Sequence, residues 1–181
     1  MTNLPSHSLR VNDLPQNRPT RFALTPDAAM MAAIATELGL TGLRKLSFRG
    51  EIVAEGRRDW RMTARLGATV VQNCVLTLVP VTTRIDENVE RRFLAEMPPA
   101  PEGEEMEMPE DDTIEPLGPE IDPARVMIEA LALALPLYPR AEGATMGEAS
   151  FTEPGKTALT DADAKPFAGL AALRAKLTED D

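Results

Sequence analysis

The chain has 181 residues, of which 43% are hydrophobic but only 4% aromatic, with one cysteine and a formal net charge of −10. That length suits a single domain with a core built from Leu, Val, Ile, Ala and Met. No apolar run approaches the roughly 20 residues of a membrane span, MTNLPSHSLR lacks the basic start and apolar stretch of a secretory signal, and one cysteine excludes an internal disulfide and a multi-thiolate zinc site, so a cytoplasmic protein without a membrane partner is expected.

The charge is unevenly spread. Residues 1–95 hold 13 basic and 9 acidic side chains, whereas residues 96–181 hold 6 and 20. Glu96 to Asp122 alone carries eleven carboxylates and no Lys or Arg. The chain is therefore a nearly neutral body with one acidic segment, a pattern that signals either an electrostatic partner or a solvated linker.

Residues 1–20 are polar and contain Pro5, Pro15 and Pro19, which predicts a flexible arm with at most a short edge strand. Thr25-Pro26-Asp27 supplies a helix start, with Thr as cap and Pro at the first helical position. The helix should end at Gly39 and present Ala28, Met31, Ala32, Ala35 and Leu38 on one face. From Leu43 the period changes to two. Leu46, Phe48, Ile52 and Ala54 alternate with polar residues, and after Gly56-Arg57-Arg58-Asp59 the alternation resumes with Trp60, Met62, Ala64 and Leu66. This predicts a β-hairpin. Thr69 to Val79 reads as a central strand, and Val81, Ile85, Val89 and Phe93 as one face of a return strand. Four successive antiparallel strands are the economical arrangement.

The proline-rich acidic segment 96–122 is expected to be disordered. Asp122-Pro123 opens a second helix with Val126, Ile128, Leu131, Leu133 and Leu135 on its apolar face, ending before Pro136. Residues 139–165 look irregular, and Pro166 opens a third helix with Phe167, Leu170, Ala171, Leu173 and Leu177. The fold class is α+β, an antiparallel β-meander packed with about three helices and a disordered acidic loop. Its expected parts are an arm (1–20), a helix plus sheet (21–95), the acidic segment (96–122), and C-terminal helices (123–181) that complete the same domain.

Candidate chemistry is sparse. His7, the single histidine, sits in the arm, where a catalytic base lacks a fixed neighbour. Pro154-Gly155-Lys156-Thr157 matches the end of a phosphate-binding loop, but Ser150 stands where the motif needs glycine. Glu110-Asp111-Asp112 lacks the spacing of a calcium loop, so a solvated acidic run is expected. Cys74 is expected in an apolar strand as a buried structural thiol. No catalytic, metal or cofactor-binding residue is assigned, and no cofactor is expected. The basic residues are more informative. Arg44, Lys45, Arg49, Arg57, Arg58, Arg61 and Arg65 fall within 22 residues. Arg49, Arg61 and Arg65 share the polar parity of the hairpin, with Arg57 and Arg58 at its tip, so these five are candidate contacts for RNA or another partner. The alternatives are an ordinary solvated face, or one covered by the acidic segment. Glu104, Glu105, Glu107, Glu110, Asp111 and Asp112 are the candidate contacts for a basic partner.

Four blocks in order, RFALTPDA (21–28), VQNCVLTLVPVTTRIDENVERRFL (71–94), IEPL with ALALALPLYPR (114–117 and 130–140) and PFAGLAALRAKL (166–177), resemble the YceD family of large ribosomal RNA subunit accumulation proteins in its alphaproteobacterial form. The resemblance implies a ribosome-assembly factor that supports the synthesis, processing or stability of 23S rRNA, with no catalytic residues to carry over. Many relatives have a second cysteine three residues after the first; here Thr77 takes that place. The expected role is binding, with a large-subunit ribosomal protein, another assembly factor or rRNA as partner, and neither DNA nor membrane. The alternatives are a metal-dependent RNA-processing enzyme using Asp111, Asp112 and Glu115, or a structural subunit of a larger complex.

Overall fold

The computed structural model describes residues 4–97 and 113–145. The chain divides into two compact units, 1–142 and 143–181. The second is described only at 143–145, and the expected helix at 166–177 lies outside the described residues.

In the first unit the chain runs through β1 (Leu9–Arg10), a 3-10 turn (Val11–Asp13), β2 (Thr20–Leu24), α1 (Ala28–Glu37), β3 (Gly42–Glu55), β4 (Asp59–Asn73) and β5 (Pro80–Leu94). It then forms β6 (Ile114–Pro116), β7 (Glu120–Ile121) and α2 (Pro123–Ala134). The main sheet has the order β2-β3-β4-β5-β6, with β6 parallel to β5 and the other pairs antiparallel. β1 and β7 form a separate antiparallel pair through Leu9 opposite Ile121 and Arg10 opposite Glu120.

Alternation decides which side chains enter the core. Phe22, Phe48, Ile52, Trp60, Met62, Leu66, Ala68, Val70, Ile85, Val89 and Phe93 all lie on one face of the sheet and are buried. They join Ile34 and Ala35 of α1 and Val126, Met127, Ala130 and Leu131 of α2 in one cluster. Both described helices therefore cover the same face. Leu43 and Leu46 both belong to this core although they are three residues apart, an odd spacing that strict alternation forbids. A bulge between Arg44 and Ser47, with Lys45 at φ 52°, absorbs the extra residue.

Several expectations need correction. Between residues 4 and 20 the arm is more ordered than expected: the short strand the sequence allowed is β1, which pairs with β7, Leu14 is buried, and β2 begins at Thr20. The first helix is capped by Asp27 rather than Thr25, with the Asp27 carboxylate accepting from the Met30 N–H at 2.8 Å. Its inward face is Ile34 and Ala35 with Met31 and Leu38, while Ala28 and Ala32 are exposed. The stop holds, with Gly39 at φ +64° just beyond the last turn. The two middle strands of the expected meander are one 15-residue strand, β4, because Gly67 and Ala68 continue the pleat instead of breaking it. Residues 113–122 are not a disordered loop; they supply β6 and β7. On α2 the inward residues are Ala124, Val126, Met127, Ala130 and Leu131, whereas Leu133 is exposed.

Candidate functional site

The second face of the sheet carries the chemistry. No described helix covers it, and its residues stand in rows set by strand register. One row runs Ala23, Arg49, Arg65, Asn88, and the next Arg21, Glu51, Thr63, Glu90. Further along, Arg61 stands opposite both Val53 and Arg92. On the other side, Gly67 stands between Ser47 and Asp86.

Two arginine pairs are thus directly opposed across strands, an arrangement that ordinarily destabilises a sheet. They are treated differently. Arg61 and Arg92 share Glu55, with contacts of 3.8 and 3.1 Å. Arg49 and Arg65 have no ion pair among the described residues, and both are exposed. The remaining expected contacts separate in the same way. Arg58 is bound to Glu96 at 2.7 Å, and Arg57 is exposed at the hairpin tip. Parity placed Arg49, Arg61 and Arg65 on one face, but the structure leaves only Arg49 and Arg65 as an opposed pair without an ion pair among the described residues.

A residue outside the expected set joins them. Arg84 grips Asp86 with Nη2 and Nε at 2.6 and 2.7 Å. This contact holds the Asp86 carboxyl below its usual range and raises the guanidinium, with burial opposing both shifts and Arg65 also acting on Asp86. The pair lies over Gly67, where an added Cβ would fall 2.8 Å from Arg84 Nη2. Arg49, Arg65, Arg84, Ser47, Gly67 and Asp86 line a hollow of about 300 Å³. A larger, more open trough of about 870 Å³ adjoins it, but Glu51 and Glu90 line that trough and Arg21 is already held by Glu51 at 3.6 Å. Arg84 was legible only through the β4–β5 register, which puts it opposite Thr69. The lone glycine within a strand pattern was the available signal for Gly67.

The other candidates do not form a site. Glu115 accepts from Arg91 at 3.1 Å, and Arg91 also reaches Glu129 at 2.9 Å, so Glu115 is committed to structure. Glu104, Glu105, Glu107, Glu110, Asp111, Asp112 and residues 150–157 lie outside the described residues. Among the described residues no cluster of three His, Cys, Asp or Glu could hold a metal ion. His7 is pinned rather than loose: its backbone N–H donates to Asp122 at 2.9 Å. Cys74 lies just beyond β4, not within a strand, and is fully buried. A hydrogen bond with the Thr77 side chain and the N–H of Ala141 lower its thiol pKa to about 6, against the opposing effect of burial. Thr77, three residues on, thus interacts directly with Cys74.

The described part of the chain is an α+β protein with one helix-covered sheet face and one open, charged face. The family model for large ribosomal RNA subunit accumulation protein YceD matches residues 62–174. The chain belongs to the YceD family, whose name ties it to the accumulation of large-subunit ribosomal RNA. No curated protein and no solved structure matches it. No described helix is long and apolar enough to cross a membrane.

Proposed function

We propose that the protein supports accumulation of 23S rRNA as a ribosome-assembly factor that acts by binding, not by catalysis, in the cytoplasm. The observation that carries this is the open sheet face, where Arg49 and Arg65 stand opposed without an ion pair among the described residues. Like charges kept together at some cost in stability favour an anionic partner. Family membership supplies the ribosomal context. The acidic residues Glu104, Glu105, Glu107, Glu110, Asp111 and Asp112 are the complementary contact, for a basic ribosomal protein or another assembly factor.

One observation favours a protein surface in addition. Val75, Leu78 and Val79 of the β4–β5 turn and Leu137 and Tyr138 beyond α2 are exposed, and Val75 N–H to Pro139 C=O at 2.9 Å ties the two segments together. Affinity-tagged protein recovered from lysate, with and without ribonuclease, tests the binding role alongside sedimentation of ribosomal particles. Co-sedimentation with large-subunit precursors supports it. Metal-dependent cleavage of structured rRNA that vanishes in an Asp111→Ala, Asp112→Ala double variant would replace it with an enzyme.

A further inference from the structure

We propose that the hollow over Gly67 receives a single phosphate group of an RNA strand, held by Arg49, Arg65 and Ser47 above a floor formed by the Asp86-bound Arg84. This deepens the assignment of the open face as a contact surface and rests on it. Polar side chains line the hollow from three adjacent strands: Ser47 and Arg49 from β3, Arg65 from β4, and Arg84 with its partner Asp86 from β5. Two guanidinium groups with no ion pair among the described residues and a hydroxyl on one face suit an oxyanion with more than two acceptor oxygens. A planar carboxylate needs only one guanidinium fork, as Asp86 itself shows with Arg84.

The floor is built for this. With no side chain at Gly67, the Arg84 guanidinium lies across β4; a Cβ there would also meet Ser47 Oγ at 3.2 Å and Asp86 Oδ1 at 3.4 Å. Asp86 fixes Arg84 in place and is thereby neutralised, while Arg49 and Arg65 keep their charge uncompensated by any ion pair among the described residues.

The neighbourhood limits the ligand to one phosphate. Along the sheet, the row after Arg49 and Arg65 brings Glu51 and Glu90, which would repel the next phosphate of a strand lying flat in the trough. No exposed aromatic residue lines the hollow or the trough, since Phe22 is buried. Contact with the sugar–phosphate backbone is therefore expected, without stacking of bases.

The test uses the full chain labelled with nitrogen-15 and follows arginine Nε–H signals. Inorganic phosphate, oligouridylate with and without a 5′-phosphate, and poly-glutamate are titrated separately. The Arg49 and Arg65 signals should move together with phosphate and with oligouridylate. A stronger response to the 5′-phosphorylated strand assigns a terminal phosphate, and an equal response an internal one. The Arg49→Gln, Arg65→Gln double variant should bind oligouridylate about tenfold or more weakly at low salt. Its log–log salt slope should fall by about 0.7. Gly67→Ala should weaken binding too, because the added methyl meets the Arg84 guanidinium that Asp86 holds in place, and circular dichroism checks that the variant folds. Arg18→Gln, an exposed site off this face, should change nothing. Undiminished oligouridylate binding in the double variant overturns the proposal, as does poly-glutamate binding as tightly as RNA. Ribosomal-particle sedimentation separates the two levels: if the double variant keeps RNA binding yet loses particles, the phosphate hollow is wrong and the binding role stands.

Discussion

Asp122 ties three parts of the fold together, so its replacement should have a cost that can be worked out in advance. It is the N-cap of α2, accepting from the N–H groups of Ala124 at 2.8 Å and Arg125 at 3.4 Å. It also accepts from the Ser6 hydroxyl at 2.7 Å and the His7 N–H at 2.9 Å, which fastens the arm beside β7. Asp122→Ala removes a cap worth about 1 kcal/mol. It also removes two arm bonds worth net about 1 kcal/mol each. The expected loss is about 2–3 kcal/mol, a fall in melting temperature of roughly 10 °C for a domain of this size. Burial pushes the Asp122 carboxyl up, but the bonds from Ser6, His7, Ala124 and Arg125 outweigh it and hold the pKa below its ordinary value. The charge-dependent part is therefore fully present above about pH 4, the unfolded carboxylate value, and is lost as pH falls through the lower folded value. Asp122→Asn keeps a capping oxygen and lacks the charge, so it should melt between wild type and Asp122→Ala at neutral pH and converge with wild type in acid. Thermal melts by circular dichroism across this pH range, with amide exchange at Val11 to report on the arm, provide the assay. An unchanged melting temperature in Asp122→Ala, or a gap to Asp122→Asn that persists unchanged into acid, would refute the reasoning.

Three other outcomes follow from local geometry. Gly50→Ala should cost about 3 kcal/mol or prevent folding, because its Cβ would sit 2.2 Å from the Thr63 carbonyl oxygen and 2.6 Å from Ala64 Cα; urea midpoints would measure this, and a neutral result would show that β3 and β4 can separate. Arg91→Ala should cost about 2 kcal/mol in the same assay, since its side chain, 12% exposed, joins Glu115 of β6 to Glu129 of α2. Arg91→Lys should recover little of this, because an ammonium cannot reproduce the two-sided guanidinium contact. Cys74 should react slowly with iodoacetamide in the native protein at neutral pH, despite its lowered pKa, and rapidly in urea, because its residue is fully buried. Fast native labelling would show that the turn against Ala141 opens.

Much of the architecture is local in origin and was therefore legible. Alternation assigned Phe48, Ile52, Trp60, Met62, Ile85, Val89 and Phe93 to one face, and the structure buries all of them there. Gly39 and Asp122-Pro123 marked helix ends because φ freedom and capping are properties of a few adjacent residues. The same local logic misplaced the first cap, since Thr25 and Asp27 are both competent and the helix begins at Ala28, directly after Asp27. It also assigned 113–122 to a charged loop. Acidic, proline-containing sequence gains order there from long-range partners: Ile121 from Leu9, Glu115 from Arg91.

The hollow over Gly67 needed the tertiary structure altogether. Period two says that Arg49 and Arg65 point away from the core, but not that they stand side by side, because neighbours across strands are set by register. A one-residue slip of β5 would turn Arg84 toward the core and Ile85 out of it, and the same set of residues would no longer converge. The bulge between Arg44 and Ser47 adds a second condition, since it carries Leu43 and Leu46 into the core while keeping Ser47 beside Gly67 on the open face. Composition and periodicity determined the faces, the core and the charge of this protein. Pairing between residues distant in sequence decided which arginines meet.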